Sequence, residues 1–79
     1  MKYQKLQIKK IKKDNEEELK KFLVHYDNIY HKSLFKIYML CFKRKLTLEK
    51  IANLFFVSVP SLRRSIVEIN TIVDYFNEI

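Results

Sequence analysis

The residues whose types and spacing could do chemistry lie at 59–64. Arg63 and Arg64 stand side by side, with Ser61 and Val59 just before them. An arginine fork can donate two parallel hydrogen bonds to a guanine edge, and a serine hydroxyl or a valine methyl adds a lesser contact to a neighbouring base. A second basic group, Lys43, Arg44, Lys45 and Lys50, surrounds Thr47. Such charges suit phosphates, as do the free N–H groups of a helix starting there. The chemistry implied is recognition of a polyanion, with the arginines reading bases, Ser61 and Val59 assisting, and Lys43, Arg44, Lys45, Thr47 and Lys50 holding the backbone.

Catalytic chemistry has little to build on, and the expectation is that the chain is not an enzyme. His25 and His31 are six residues apart, on different faces of one helix, and no carboxylate pair or nucleophile accompanies them. A metal site would want histidines three or four apart with further ligands. Cys41, the only cysteine, excludes a disulfide within the chain and reads as a small core hydrophobe. No catalytic residue, metal or cofactor is expected.

The elements that must position the basic residues follow from spacing. The 79 residues allow one small domain, and a hydrophobic share of 48% with six Phe and five Tyr can supply its core. The absence of Gly removes dinucleotide-binding turns, P-loops and tight β-hairpins. The longest apolar run, 37–42, is too short to span a bilayer, so a soluble, cytoplasmic protein is expected.

Residues 1–13 hold six Lys and no acid and read as a flexible basic arm. A short strand through Leu6 and Ile8 is the alternative. Charge reverses at Asp14, Glu16, Glu17 and Glu18, where Asp14 or Asn15 can cap a first helix. Its apolar stripe is Leu19, Phe22, Leu23, Tyr26, Ile29 and Tyr30. Ser33 can cap a second helix to about residue 44, apolar almost all round and therefore central. One long helix over 16–44 is the competing reading of the same stripe, with a break at 31–33 favoured.

Thr47 caps a third helix that turns Leu48, Ile51, Ala52 and Phe55 inward. Ser58 caps a fourth, with Pro60 in its first turn, where a missing N–H breaks no internal bond. Leu62, Ile66, Ile69, Val73 and Phe76 form that helix's inward stripe. The fold class expected is all-α, a small bundle of three to four helices over 14–79 containing a helix-turn-helix at about 47–70. The same stretch could also be no more than a helical hairpin.

Leu48, Ile51, Ala52, Leu54, Phe55, Val57, Ser58, Ser61, Leu62, Arg64, Ile66, Ile69 and Asn70 together resemble the helix-turn-helix of the Mga-like and antiterminator-type (PRD-containing) transcription regulators of low-GC Gram-positive bacteria. The resemblance covers roughly 33–79. It implies promoter DNA as partner, with positions matching Ser61, Arg63 and Arg64 on the DNA face. Family members usually carry a β-wing and regulatory domains beyond this helix, so an excised domain or a free-standing relative is expected, and the Gly usual at the turn is Phe56 here, so an αR-like turn is expected. Residues 47–66 are also similar to the promoter-reading hairpin of sigma factors. After Arg64 come Glu68, Asp74 and Glu78 with no base. That end is therefore expected to meet protein instead of DNA, through a face of Ile72, Tyr75 and Ile79 that serves a homodimer or another partner. The competing functional reading is a small protein-binding adaptor or inhibitor.

Overall fold

The structure, a computed structural model, describes residues 8–43 and 46–78. Four helices and no strand occur among them: α1 Glu16–Tyr30, α2 Leu34–Tyr38, α3 Leu48–Phe55 and α4 Val59–Glu78. A 3-10 turn, Lys13–Asn15, leads into α1, and a π-helical turn, Met39–Lys43, prolongs α2. The protein is a small all-α bundle.

Glu16, Glu17 and Glu18 occupy the first turn of α1, where negative charge complements the helix dipole. Asn15 stands at the N-cap position but does not cap. Its Nδ2 donates to the Phe76 carbonyl at 2.6 Å, joining the start of α1 to the end of α4. The helix stops at His31, which adopts φ 55° and ψ 48°, and the Lys32 N–H closes onto the Asp27 carbonyl at 3.1 Å. The chain thus breaks at 31–33, and α1 and α2 are separate.

Ser33 makes no capping bond to α2. The two carboxylate oxygens of Asp27 accept from Leu34 N and Phe35 N, each at 2.9 Å, so the cap comes from the last turn of the preceding helix. A charged acceptor serving two amides outcompetes a hydroxyl.

Thr47 caps α3 as expected, its Oγ1 accepting from Lys50 N at 3.3 Å. Phe56 ends α3 at φ 56° and ψ 41°, and Val57 N donates to Ala52 O at 3.0 Å. The αR-like turn expected there is not formed: Phe56 takes the left-handed conformation a glycine would, because Val57 N–H must reach back across the last turn of α3. Ser58 Oγ then accepts from Ser61 N at 3.3 Å and caps α4.

All four helices contribute to the core: Leu19 and Leu23; Leu34, Ile37 and Tyr38; Ile51 and Ala52; Leu62, Ile66, Ile69 and Val73. The stripe of α1 is narrower than its sequence spacing suggests, since Phe22, Ile29 and Tyr30 are 38%, 53% and 57% exposed. With α2 and α4 as its helical neighbours, α1 lies at the margin of the bundle, and the apolar face is wider than they can cover.

The described part of the basic arm, residues 8–12, is docked. Ile11 is buried, Lys9 N donates to Asn70 Oδ1 at 2.7 Å, and Lys12 N to Asn77 Oδ1 at 2.9 Å. Asn77 Nδ2 returns a bond to Lys10 O at 3.0 Å, and Lys9 Nζ pairs with Asp74 at 2.8 Å. Asn70, Asp74 and Asn77 recur at four- and three-residue spacing, so one face of α4 satisfies an extended segment that has no sister strand.

Candidate nucleic-acid interface

α3, the turn 56–58 and α4 hold the basic residues on α4's first turns. The core stripe of α4 fixes which side faces outward: with Leu62, Ile66, Ile69 and Val73 buried, Pro60, Arg64, Val67 and Thr71 form the exposed line. Arg64 is therefore the outward arginine. Its Nη2 donates to Ser61 Oγ at 3.2 Å, and the same oxygen accepts from Ser58 Oγ at 3.1 Å. Ser58, Ser61 and Arg64 thus form a chain of polar contacts at the start of α4. Ser61 orients the guanidinium, and Ser58 orients Ser61 while capping the helix.

The remaining candidates are dispersed. Arg63 is half-buried and lies about 100° round the helix from Arg64. Val59 is partly buried against the core. Thr47 and Lys50 are exposed at the start of α3, with the Thr47 hydroxyl engaged as the cap. The Lys43 backbone closes the π-helical turn, while Arg44 and Lys45 lie outside the described residues. Spacing alone puts Val67 and Thr71 in line with Arg64, at three and seven residues beyond it. Neither is charged, so residue type alone does not mark them.

At the opposite end of α4, Ile72 is half-buried, Tyr75 is 63% exposed and Ile79 lies outside the described residues. Tyr75 belongs to a larger feature. Its ring meets Phe76 edge-on at 5.6 Å, Phe76 meets Phe22 at 5.5 Å, Phe22 meets Tyr26 at 5.8 Å and Tyr26 meets Tyr30 at 4.6 Å. Of the three rings on α1, Tyr26 packs partly buried against the core as expected, whereas Phe22 and Tyr30 lie exposed at the edge of the bundle.

Tyr26 and Lys32 both donate to the Glu68 carboxylate, the latter at 2.8 Å. The bond to Glu68, with burial and the carboxylate's charge, pushes the Tyr26 phenol up to about 12. Burial acts to raise the Glu68 pKa, but the hydrogen bonds from Lys32 and Tyr26 outweigh it and hold the carboxyl below its usual range.

Burial alone pushes the half-buried Cys41 thiol up to about 11, which leaves it un-ionised near neutrality and a poor nucleophile. Among the described residues no three His, Cys, Asp or Glu come together as a metal site, and no helix is long and apolar enough to cross a membrane. Compared with protein-family models, curated proteins and solved structures, the chain has no match.

Proposed function

We propose that the chain is a sequence-specific DNA-binding transcription regulator, or the DNA-binding domain of one, acting in the bacterial cytoplasm. The first half of α4 enters the major groove, as the second helix of a helix-turn-helix does. The observation that carries this reading is the placement of Arg64. It stands on the outward line of α4, oriented by Ser61 beside a capped helix start, while the acids Glu68, Asp74 and Glu78 follow further along the chain.

In this reading Arg64 reads a guanine edge, and Val67 and Thr71 border the same groove. Arg63, on the adjacent side of α4, pairs with phosphate or a flanking base. Lys43, Arg44, Lys45, Thr47 and Lys50 meet the backbone, and Val59 packs the helix start instead of touching a base. No cofactor is needed. The competing reading, an adaptor or inhibitor that binds protein, is supported by the exposed aromatic rings of α1 and α4.

Fluorescence anisotropy on labelled duplexes across a salt series tests the proposal. Affinity falls steeply with salt, and Lys50→Ala reduces the salt slope by about 0.9. Arg64→Ala costs about 1–3 kcal/mol on preferred sequences and flattens discrimination, whereas Lys50→Ala weakens all sequences alike. Absence of binding at low salt sinks the DNA reading in favour of the adaptor.

A further inference from the structure

The turn at 31–33 runs against the pattern of its own sequence. Leu19 and Leu23 of α1 and Leu34 and Ile37 of α2, all buried, would share one face of a single helix, because the step from Leu23 to Leu34 is about three full turns. His31, Lys32 and Ser33 include neither Gly nor Pro, so no residue type between α1 and α2 forbids helix. The break instead requires His31 at φ 55°, unfavourable for a non-glycine residue, and Asp27 to cover the amides of Leu34 and Phe35. We propose that 31–33 is the hinge of a domain-swapped dimer: residues 16–38 straighten into one helix, and α1 with the segment 8–15 moves onto the α2 and α4 of a second copy. The inference stands independently of the DNA reading.

The contacts within one chain identify a second copy as the partner. α2 turns back along α1, since Asp27 meets Leu34 and Phe35 while Val24 shares a groove with Lys36 and Met39. Opening the hinge lifts α1 away and uncovers a seat on α2 and α4 that α1 of another copy fits, because α1 fills it in the closed chain. Leu19 and Leu23 are fully buried there, so separation without exchange exposes apolar surface to water. Along α4 the seat takes Tyr26 at Glu68, Asn15 at the Phe76 carbonyl, and the Lys9 and Lys12 amides at Asn70 and Asn77. Each bond can be remade between copies with the same two residues. Exchange of an identical element is thus a closed arrangement that needs no new surface.

The balance between the two forms lies in the hinge. In the straight helix the Leu34 and Phe35 amides donate to the carbonyls of Tyr30 and His31, and His31 leaves the left-handed region. Against this stand the two Asp27 bonds and the partly exposed Lys32 pair with Glu68, which belong to the closed turn.

A short bis-maleimide tests the exchange in Val24→Cys, Lys36→Cys chains with Cys41→Ser, refolded at micromolar or millimolar concentration. Both positions are exposed and line the same groove, so the reagent joins them within one chain in the monomer and between chains in the swapped dimer. The expected result is a covalent dimer on a denaturing gel at millimolar concentration. Each dimer holds two hinges, so Asp27→Ala lowers its dissociation constant by at least about tenfold. His31→Gly raises it by a similar factor, because Gly relieves the left-handed turn and weakens the helix. Ser33, exposed and without a capping bond, gives a second variant: Ser33→Ala acts in the direction of Asp27→Ala and decides if that chain unfolds. Interchain links that increase from His31→Gly through the unaltered hinge to Asp27→Ala or Ser33→Ala carry the proposal. Links confined to single chains in all of them at millimolar concentration overturn it, as do interchain links indifferent to the hinge or ordered the other way.

Discussion

Phe56 is the residue where local chemistry and tertiary demand conflict most openly. Its side chain is 94% exposed, so it contributes almost no burial, while its backbone sits at φ 56°. Left-handed backbone costs a non-glycine residue about 1–2 kcal/mol. Glycine removes that cost but adds conformational freedom to the unfolded chain, which returns part of the gain. Phe56→Gly is therefore expected to stabilise the domain by about 0.5–1 kcal/mol, read as a rise of several degrees in thermal midpoint. An unchanged or lower midpoint would mean that the aromatic ring contributes packing its exposure does not suggest. The composition shows only that glycine is absent. It does not show that two reversals, at His31 and Phe56, still require positive φ, because that requirement arises from where the next helix must go.

Among the elements, α2 depends most on another segment. It is five residues long before the π-helical turn, too short to persist by its own propensity, and its first two free amides are satisfied by Asp27 from α1. Asp27→Ala is expected to destabilise the domain by about 1.5–3 kcal/mol, with Asp27→Asn intermediate because one acceptor oxygen survives. Hydrogen exchange at Leu34 and Phe35 should accelerate before exchange at Ile66 does, and simultaneous loss of protection at all three would show that α2 has no separate dependence on the cap. The caps at Thr47 and Ser58 were legible in the sequence because each lies within three residues of the amide it serves. The Asp27 cap was not, because it spans seven and eight residues across a turn. Asn70 and Asn77 escaped for the same reason on a larger scale: their partners, Lys9 and Lys12, are more than sixty residues away in sequence.

For the whole molecule, the Tyr26, Glu68 and Lys32 cluster ties α1, the turn after it and α4, and so links stability to pH at both extremes. The Glu68 pKa is depressed on folding, so its contribution is present above the unfolded value of 4.5 and is lost as pH falls through the lower folded value. The Tyr26 phenol runs the other way. Raised from 10.0 to about 12, it contributes fully below 10.0 and loses that contribution as pH rises through the folded value. Buried Tyr38, also raised to about 12, adds to the alkaline limb. Chemical denaturation across pH should show Glu68→Gln flattening the acid side, and Tyr26→Phe reducing the alkaline slope without abolishing it. An acid limb unchanged by Glu68→Gln would remove the cluster from this role. The all-α class and the inward stripes of α3 and α4 were readable from spacing, whereas the stripes of α1 and α2 run on in phase, so spacing left the break at 31–33 open against one long helix. The α1 stripe misled, since spacing reports an apolar face but not whether the bundle is large enough to cover it.

The anchoring of residues 9–12 by Asn70, Asp74 and Asn77 lays the start of the described chain along the last two turns of α4, about 12 Å from Glu78 at its far end. The fold is in effect a ring, closed by side chains instead of a peptide bond. The order in which the helices are synthesised is then separable from the order in which they pack. A short tether between the two ends, with a new opening at the exposed turn 56–58, yields a circularly permuted chain that begins with α4 and retains every helix contact while severing only the polypeptide bridge that Phe56 strains to make.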